Sequence, residues 1–109
     1  MKYLKVKWKN ESDSEDNPIW LYSEIDNKQL EIRKVDIYSD GHSDFADENN
    51  SNGETFISDT PIPDLAEINI QDEFEGLEIT EKEFNVIWDK AVYEKVKKDT
   101  SNITQKSVS

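Results

Sequence analysis

Residues 79–98 read I-T-E-K-E-F-N-V-I-W-D-K-A-V-Y-E-K-V-K-K and specify one element more completely than any other stretch of the chain. Apolar side chains recur at the three-and-four spacing of one helical face, namely Phe84, Ile87, Trp88, Ala91, Val92 and Val96. Thr80 and Glu83 can form a capping box, in which each side chain accepts a hydrogen bond from the backbone amide of the other. Ile79 and Phe84 can add a hydrophobic staple. The stretch therefore predicts an amphipathic helix that covers another layer.

The apolar face of this helix is expected to supply much of the stability of the domain. Its burial is worth on the order of 10 kcal/mol before ordering costs, at roughly 1.5 to 3 kcal/mol for each larger side chain. Trp88 is the largest of these side chains, and Trp88→Ala is predicted to cost about 3 to 5 kcal/mol. A loss of that size is comparable with the whole stability of a small domain.

Segments of alternating polarity upstream of the helix predict a sheet. Residues 2–9 alternate, with Leu4, Val6 and Trp8 on one side and Tyr3 and three lysines on the other. The other strands are expected at residues 19–26, 29–38 and 42–46, with a short fifth at 55–58. A short helix over residues 65–70 is expected to have a second capping box, from Asp64 and Glu67.

The third strand and the turn after it determine the register. Its apolar positions change phase, and a bulge at Arg33 and Lys34 would bring the later pair onto the face of the earlier one. In Ser39-Asp40-Gly41, a three-residue loop with Gly41 in the left-handed region gives the better hairpin packing. That loop predicts three facing pairs, which are Val35 with Phe45, Ile37 with Ser43, and Asp36 with Asp44. The last is a pair of like charges that Lys34 can relieve.

These elements predict an α+β fold. The sheet is expected to have four or five mainly antiparallel strands in meander order, with the long C-terminal helix packed on one face and the other face largely wet. Trp8 and Trp88 are expected in the core. Residues 1–98 are predicted to form a single domain, and residues 99–109, which lack periodicity, a flexible tail.

Composition limits the location and chemistry of the protein. With 34% hydrophobic and 35% charged residues, no cysteine and no long apolar run, the chain is expected in the cytoplasm and not in a membrane. His42 is the one histidine, it lies beside a hairpin turn, and no third group orients it in any visible motif. The three glycines form no phosphate loop. We therefore expect no catalytic activity, cofactor or metal.

Charge is segregated along the chain, whose net charge is -12. Residues 1–9 sum to +4, residues 10–79 to -17 and residues 80–109 to +1. The acidic middle would repel nucleic acid and would speed the encounter with a basic protein. The alternative is that this charge serves only to keep a small protein in solution.

The partner surface is expected near the hairpin, on a protein that acts as a monomer. The predicted turn gathers Asp36, Asp40 and Asp44 near one strand end, with Glu24 and Asp26 as neighbours. Trp20 and Tyr22 fall on one side of their strand, and an exposed Trp20 with Tyr22 would be a suitable interface anchor.

Four blocks of the chain resemble a family of small uncharacterised bacterial proteins. They are M-K-Y-L-K-V-K-W, W-L-Y-S-E-I-D, L-E-I-R-K-V-D-I-Y-S-D-G and E-I-T-E-K-E-F-N-V-I-W-D-K-A, in this order within residues 1–91. The chain departs from the family mainly at residues 47–53 and in its tail. The resemblance implies no activity or catalytic residue.

Two functions remain open after the resemblance. In size and charge the chain is similar to immunity proteins of bacterial toxin systems, which is an analogy and not a motif match. It suggests an acidic immunity protein that neutralises a basic toxin, such as a nuclease. The alternative is a general binding or adaptor domain.

Overall fold

An antiparallel sheet of five strands forms the framework of the protein in a computed structural model that describes residues 1–9, 18–51 and 55–108. The strands are β1 (Lys2–Trp8), β2 (Trp20–Ile25), β3 (Glu31–Ile37), β4 (Ser43–Ala46) and β5 (Phe74–Ile79). The helices are α1 (Leu65–Ile70) and α2 (Glu81–Val108). The spatial order is β4-β3-β2-β1-β5, so that β1 to β4 form a meander and β5 pairs with the outer side of β1. The predicted α+β class with an antiparallel sheet and a C-terminal helix is confirmed.

The start of α2 follows the sequence signals closely. The Glu83 amide donates to Thr80 Oγ1 at 3.1 Å, and the Thr80 amide donates to Glu83 Oε1 at 3.3 Å, which completes the predicted capping box. Ile79 and Phe84 join the same core cluster, as the predicted staple requires. The helix continues past Lys98, the end predicted from the sequence, because no glycine or proline follows to stop it. The flexibility of residues 99–109 stays a prediction.

One face of the sheet, called here the helix face, packs against α2. Its core contains Tyr3, Tyr22, Val35 and Phe45 from the strands, with Phe84 fully buried beneath the helix. The rings of Phe45 and Trp88 meet edge to face with centroids 5.3 Å apart. Trp88 is only half-buried, so that the centre of this core is Phe84 and not the tryptophan.

The opposite face, called here the cleft face, is also covered, and the prediction that it stays largely wet was wrong. Leu4 and Val6 point away from α2 and form a second core cluster with Ile25 and Ile68. Such side chains need their own cover, because leaving them in water would lose their hydrophobic stabilisation. Helix α1 and residues 55–64, called here the strap, provide it.

The strap replaces the strand predicted at residues 55–58. It lies over the cleft face without pairing as a strand and is held by side chains of β3. Thr55 Oγ1 donates to Asp36 Oδ2 at 2.6 Å, and the Ser58 amide donates to Glu31 Oε1 at 2.9 Å. Pro61 and Pro63, which lack an amide proton, keep this segment from joining a ladder.

The hairpin between β3 and β4 has the predicted register. Val35 faces Phe45, Ile37 faces Ser43 and Asp36 faces Asp44. Gly41 has φ +91°, the left-handed conformation that the three-residue loop requires.

The change of phase in β3 occurs, but at Ile32 and not at Arg33 and Lys34 as predicted. Glu24 pairs with Arg33 and Ile25 pairs with Glu31, so that Ile32 is the extra residue. An extra residue at that position turns Arg33 onto the helix face beside Val35.

Helix α1 and β5 fit together at Gly76. A methyl group added there would lie 3.0 Å from Leu65 Cδ2, so that a side chain would push the helix away. The amide side chain of Asn69 accepts from the Gly76 amide at 2.7 Å and donates to the Gly76 carbonyl at 3.0 Å. The predicted second capping box was wrong: Asp64 makes no side-chain capping bond and instead accepts from Gln29 Nε2 at 3.2 Å.

Candidate binding cleft

An open cleft of about 290 Å³ lies on the cleft face between the sheet, the strap and α1. Its walls are predominantly apolar and consist of Leu4, Val6, Leu21, Ile62, Ile68 and Phe74. Leu21, Ile62 and Phe74 are only half-buried, so that their apolar surface remains available to a guest. The volume lies just below the roughly 300 to 1,000 Å³ of small-molecule pockets.

Polar groups of opposite charge line the same cleft. Glu31 is 7% exposed, and its carboxylate accepts from Ser23 Oγ at 2.6 Å and from the Ser58 amide at 2.9 Å. Lys34 also lines the cleft, and its ammonium group is 3.7 Å from Asp36 Oδ2. The cleft thus offers both an acceptor and a cation within an apolar surround.

Exposed acids lie next to several residues of the cleft in the chain. Five lining residues each have such a neighbour, and the acids are Asp59, Asp64, Glu67, Asp72 and Glu73. Glu75, the second neighbour of Phe74, is left out because its strand register places it on the helix face. Consecutive Cα atoms are about 3.8 Å apart, so that the backbone of each acid lies close to a residue of the cleft. These five residues are called here the acidic rim. Residues 55–79 contain no lysine, arginine or histidine to offset them.

The structure does not bring the seven residues predicted for partner binding onto one surface. Strand register places Trp20, Tyr22 and Glu24 on the helix face, and Asp36 and Asp44 on the cleft face. Asp26 and Asp40 lie in turns at opposite ends of the sheet meander, where each accepts backbone amide hydrogen bonds. Their role in binding stays a prediction.

Glu24 is engaged in a buried ion pair under α2. Arg33 Nε and Nη2 donate to its two oxygens at 2.7 and 2.9 Å, and Arg33 Nη2 also donates to Asn85 Oδ1 at 3.0 Å. Hydrogen bonding to Arg33 holds the pKa of Glu24 below its usual value, although burial opposes this. The guanidinium also lies 4.9 Å from the Phe84 ring centroid. Through Arg33 and Asn85, Glu24 is therefore linked to α2.

Asp36 is buried as well, with 5% of its surface exposed. Burial raises its pKa, against the attraction of Lys34 and the hydrogen bond from Thr55. Its Oδ1 has no hydrogen-bond partner among the described residues. The triad of Asp36, Asp40 and Asp44 is therefore not a set of equivalent surface charges.

The exposed acid of that triad is Asp40, in the hairpin turn. It accepts from the His42 amide at 2.9 Å and contacts the His42 ring, and these bonds hold the pKa of Asp40 below its usual value. The His42 ring stacks on Tyr38 with centroids 4.2 Å apart. These contacts are those of an ordered turn.

The aromatic pair predicted as an anchor is divided between surface and core. Tyr22 is 7% exposed and belongs to the core cluster of the helix face. Trp20 is half-buried, and the ammonium groups of Lys5 and Lys7 lie 4.6 and 5.7 Å from its ring centroid. The exposed part of Trp20 is thus screened by two cations of β1.

The cleft itself was missed by the sequence reasoning. Its walls come from β1, β2, the strap, α1 and β5, and no periodic pattern links them. One signal was present, since residues 55–79 carry seven acids and no basic residue around short apolar runs.

The fold defines a small open-sheet α+β domain with an open, predominantly apolar cleft. The chain belongs to a family described as a domain of unknown function (DUF6881), whose model matches residues 2–93. No curated protein and no solved structure matches the chain. Within its described residues, neither helix has the length and apolar character of a membrane span.

Proposed function

We propose that this chain is a non-catalytic binding protein that captures a basic protein partner through the cleft and its acidic rim. The observation that carries the proposal is an apolar cleft in which five of the lining residues have an exposed acid next to them in the chain. Apolar anchors inside a polar border are the usual arrangement of a protein interface.

The negative charge of the chain supports the proposal that its partner is a basic protein. The net charge of -12 favours encounter with a cationic surface, and the rim concentrates part of it beside the cleft. Such exposed charges act mainly on the association rate, and salt screens them over about 8 Å at physiological ionic strength. A complex formed here should therefore associate more slowly as salt is added.

The most specific form of the proposal is an immunity protein that neutralises a basic toxin domain in the cytoplasm. A nuclease suits this reading, because carboxylates that occupy its phosphate-binding surface would exclude its substrate. The alternative is an adaptor domain with the same binding surface and no toxin. A neighbouring gene for a large secreted toxin would favour immunity, and a solitary gene would favour the adaptor.

The test begins with capture of the partner on immobilised protein, its identification by mass spectrometry and its purification. Surface plasmon resonance then compares wild type with a rim variant that carries Asp59→Asn, Asp72→Asn and Glu73→Gln. The matched control removes the same charge from residues that do not adjoin the cleft, through Glu48→Gln, Asp89→Asn and Glu94→Gln. We expect the rim variant to bind at least tenfold more weakly, or roughly 1.4 kcal/mol, and the control to change little.

Equal loss in both variants would show that only net charge matters, and a flat salt dependence would contradict electrostatic capture. Co-expression separates the two forms of the proposal. An immunity protein should restore growth to cells that express the captured partner, and the rim variant should restore it less well. A partner that is harmless to cells would favour the adaptor.

A further inference from the structure

The chemistry of the cleft selects among the side chains that a partner could insert. We propose that it accepts a large aromatic side chain that carries one hydrogen-bond donor, a tryptophan or a tyrosine, flanked by lysine or arginine. This inference rests on the proposed function and specifies the partner segment that the cleft recognises.

A purely aliphatic guest would satisfy the walls but would add no hydrogen bond to Glu31 and no favourable contact to Lys34. Seating it against Glu31 and Lys34 would displace water from a carboxylate and an ammonium without replacing the hydrogen bonds. A cationic guest has the opposite problem. It could pair with Glu31 but would lie beside Lys34, a like charge in the same apolar surround.

An aromatic guest with an N–H or O–H group suits every wall. Its ring can cover the half-buried apolar surfaces of Leu21 and Phe74. Its donor can reach Glu31, because each carboxylate oxygen accepts one hydrogen bond from the protein and retains a lone pair.

Lys34 would then favour the aromatic guest, because an ammonium group is attracted to the face of an aromatic ring. The protein uses this contact elsewhere, with Lys5 Nζ 4.6 Å from the Trp20 ring centroid and Lys95 Nζ 5.6 Å from that of Phe45. The acidic rim would bind the basic residues on either side of the anchor.

The test uses five-residue peptides, acetylated and amidated, of sequence Lys-Arg-X-Arg-Lys, with tryptophan, tyrosine, phenylalanine, leucine, arginine or glycine at X. Isothermal titration calorimetry at low salt gives their affinities for the full chain. We expect the tryptophan and tyrosine peptides to bind at least about tenfold more tightly than the leucine, arginine and glycine peptides. The phenylalanine peptide, whose ring lacks a hydrogen-bond donor, should have an affinity between those of the two groups.

Two tryptophan variants, one that fills the cleft and one outside it, test whether the peptides bind in the cleft. Leu21→Trp, at a half-buried residue of the wall, should abolish the preference for aromatic peptides. Leu77→Trp, at an exposed residue of β5 on the helix face, should leave the preference intact. Methyl resonances of the wild type give the same answer without a variant, since Leu4, Leu21 and Ile68 should shift with the tryptophan peptide and Leu77 should not.

The outcomes separate this inference from the proposed function. If all six basic peptides bind equally, the anchor inference is wrong and the acidic surface remains. If a tryptophan peptide flanked by glutamates binds as tightly as the basic one, the anchor inference holds and the role of the rim is wrong. Shifts confined to residues outside the cleft would overturn the inference, and no binding by any peptide would overturn both.

Discussion

The two faces of the sheet are covered by different kinds of structure. On the helix face, one long helix with a complete capping box packs a continuous set of rings against the strands. On the cleft face, the irregular strap is held by isolated hydrogen bonds to Asp36 and Glu31, and the six-residue helix α1 is bonded to β5 through Asn69 and Gly76. The first cover buries Phe84 fully, and the second leaves an apolar cleft.

This difference separates a face with a regular helical cover from a face whose irregular cover leaves apolar surface exposed. A regular helix fills its layer at core density, and every deleted methylene leaves a cavity. An irregular cover can rearrange locally around a substituted side chain, which lowers the loss of folding free energy. It also leaves apolar surface exposed at the cleft. Five predictions test the comparison, from the largest expected effect to the smallest.

The largest effect is expected from Phe84→Ala on the helix face. The side chain is fully buried, and its loss should cost about 4 kcal/mol, whereas Ile68→Ala beside the open cleft should cost about 2 kcal/mol. Trp88→Ala should fall between them, because its ring is half-buried. Denaturant unfolding monitored by circular dichroism gives the three values, with exposed Val86→Ala as the control. Equal costs at Phe84 and Ile68 would contradict the proposed difference between the faces.

The ion pair under α2 should give the next largest effect. Arg33→Met leaves the Glu24 carboxylate buried without its bidentate partner and should cost about 3 kcal/mol. Adding Glu24→Gln removes the stranded charge and should recover most of that loss. A double-mutant cycle from unfolding curves measures the coupling. If the double variant is as unstable as Arg33→Met, the cost comes from lost packing on Phe84 and not from charge.

Thr80 and Asp64, which immediately precede the two helices, allow a comparison of capped and uncapped helix starts. Thr80→Ala removes a formed cap and should cost about 1 kcal/mol, while Asp64→Ala removes no capping bond and should cost only a few tenths of a kcal/mol. Thermal melts of both variants make the comparison. A larger loss at Asp64 would show that its bond to Gln29 matters more to the strap than the geometry indicates.

The acids buried on the two faces should respond to pH in opposite senses. The pKa of Glu24 is lowered, so that its contribution to stability is present above its unfolded pKa of about 4.3 and is lost as pH falls through the folded pKa. The advantage of wild type over Glu24→Gln should therefore shrink in acid. Unfolding free energies from pH 7 down to 3 test this, and a constant difference would contradict it.

Asp36 is expected to give the smallest change in stability with pH, in the sense opposite to that of Glu24. Its pKa is raised, so that the folded state takes up the proton first and stability rises as pH falls through the folded pKa toward the unfolded value of about 3.9. Asp36→Asn should be most favourable relative to wild type at neutral pH, and this difference should shrink in acid. The same titration measures it. A difference that grows in acid would show that the pKa is lowered instead.

The helix face was largely predictable because its signals are local. The capping box, the apolar stripe with Phe84 and the pairing of Val35 with Phe45 each depend on residues close together in the sequence. The sequence predicted the bulge at Arg33 and Lys34, just after its actual position at Ile32. Either position restores the apolar phase of the strand, and the contact of Arg33 with Phe84 decides between them.

The cleft face was not predictable in the same way, because its contacts join distant parts of the chain. Phe74–Ile79 is a short strand interrupted by Gly76, and only its pairing with β1 makes it one. Asp36 accepts its hydrogen bond from Thr55, nineteen positions away, and the cleft is lined by residues from Leu4 to Phe74. Composition did indicate an acidic segment, but not the apolar surface that it surrounds.

The outer edge of the sheet at β5 carries a consequence for assembly. An edge strand with free amide and carbonyl groups is a template on which a foreign strand can add. At Gly76, the middle of this edge, both groups are already bonded to the side-chain amide of Asn69, which occupies the place of the next strand. Asn69 thus blocks the addition of another strand at this edge, and its replacement should increase self-association of the folded protein.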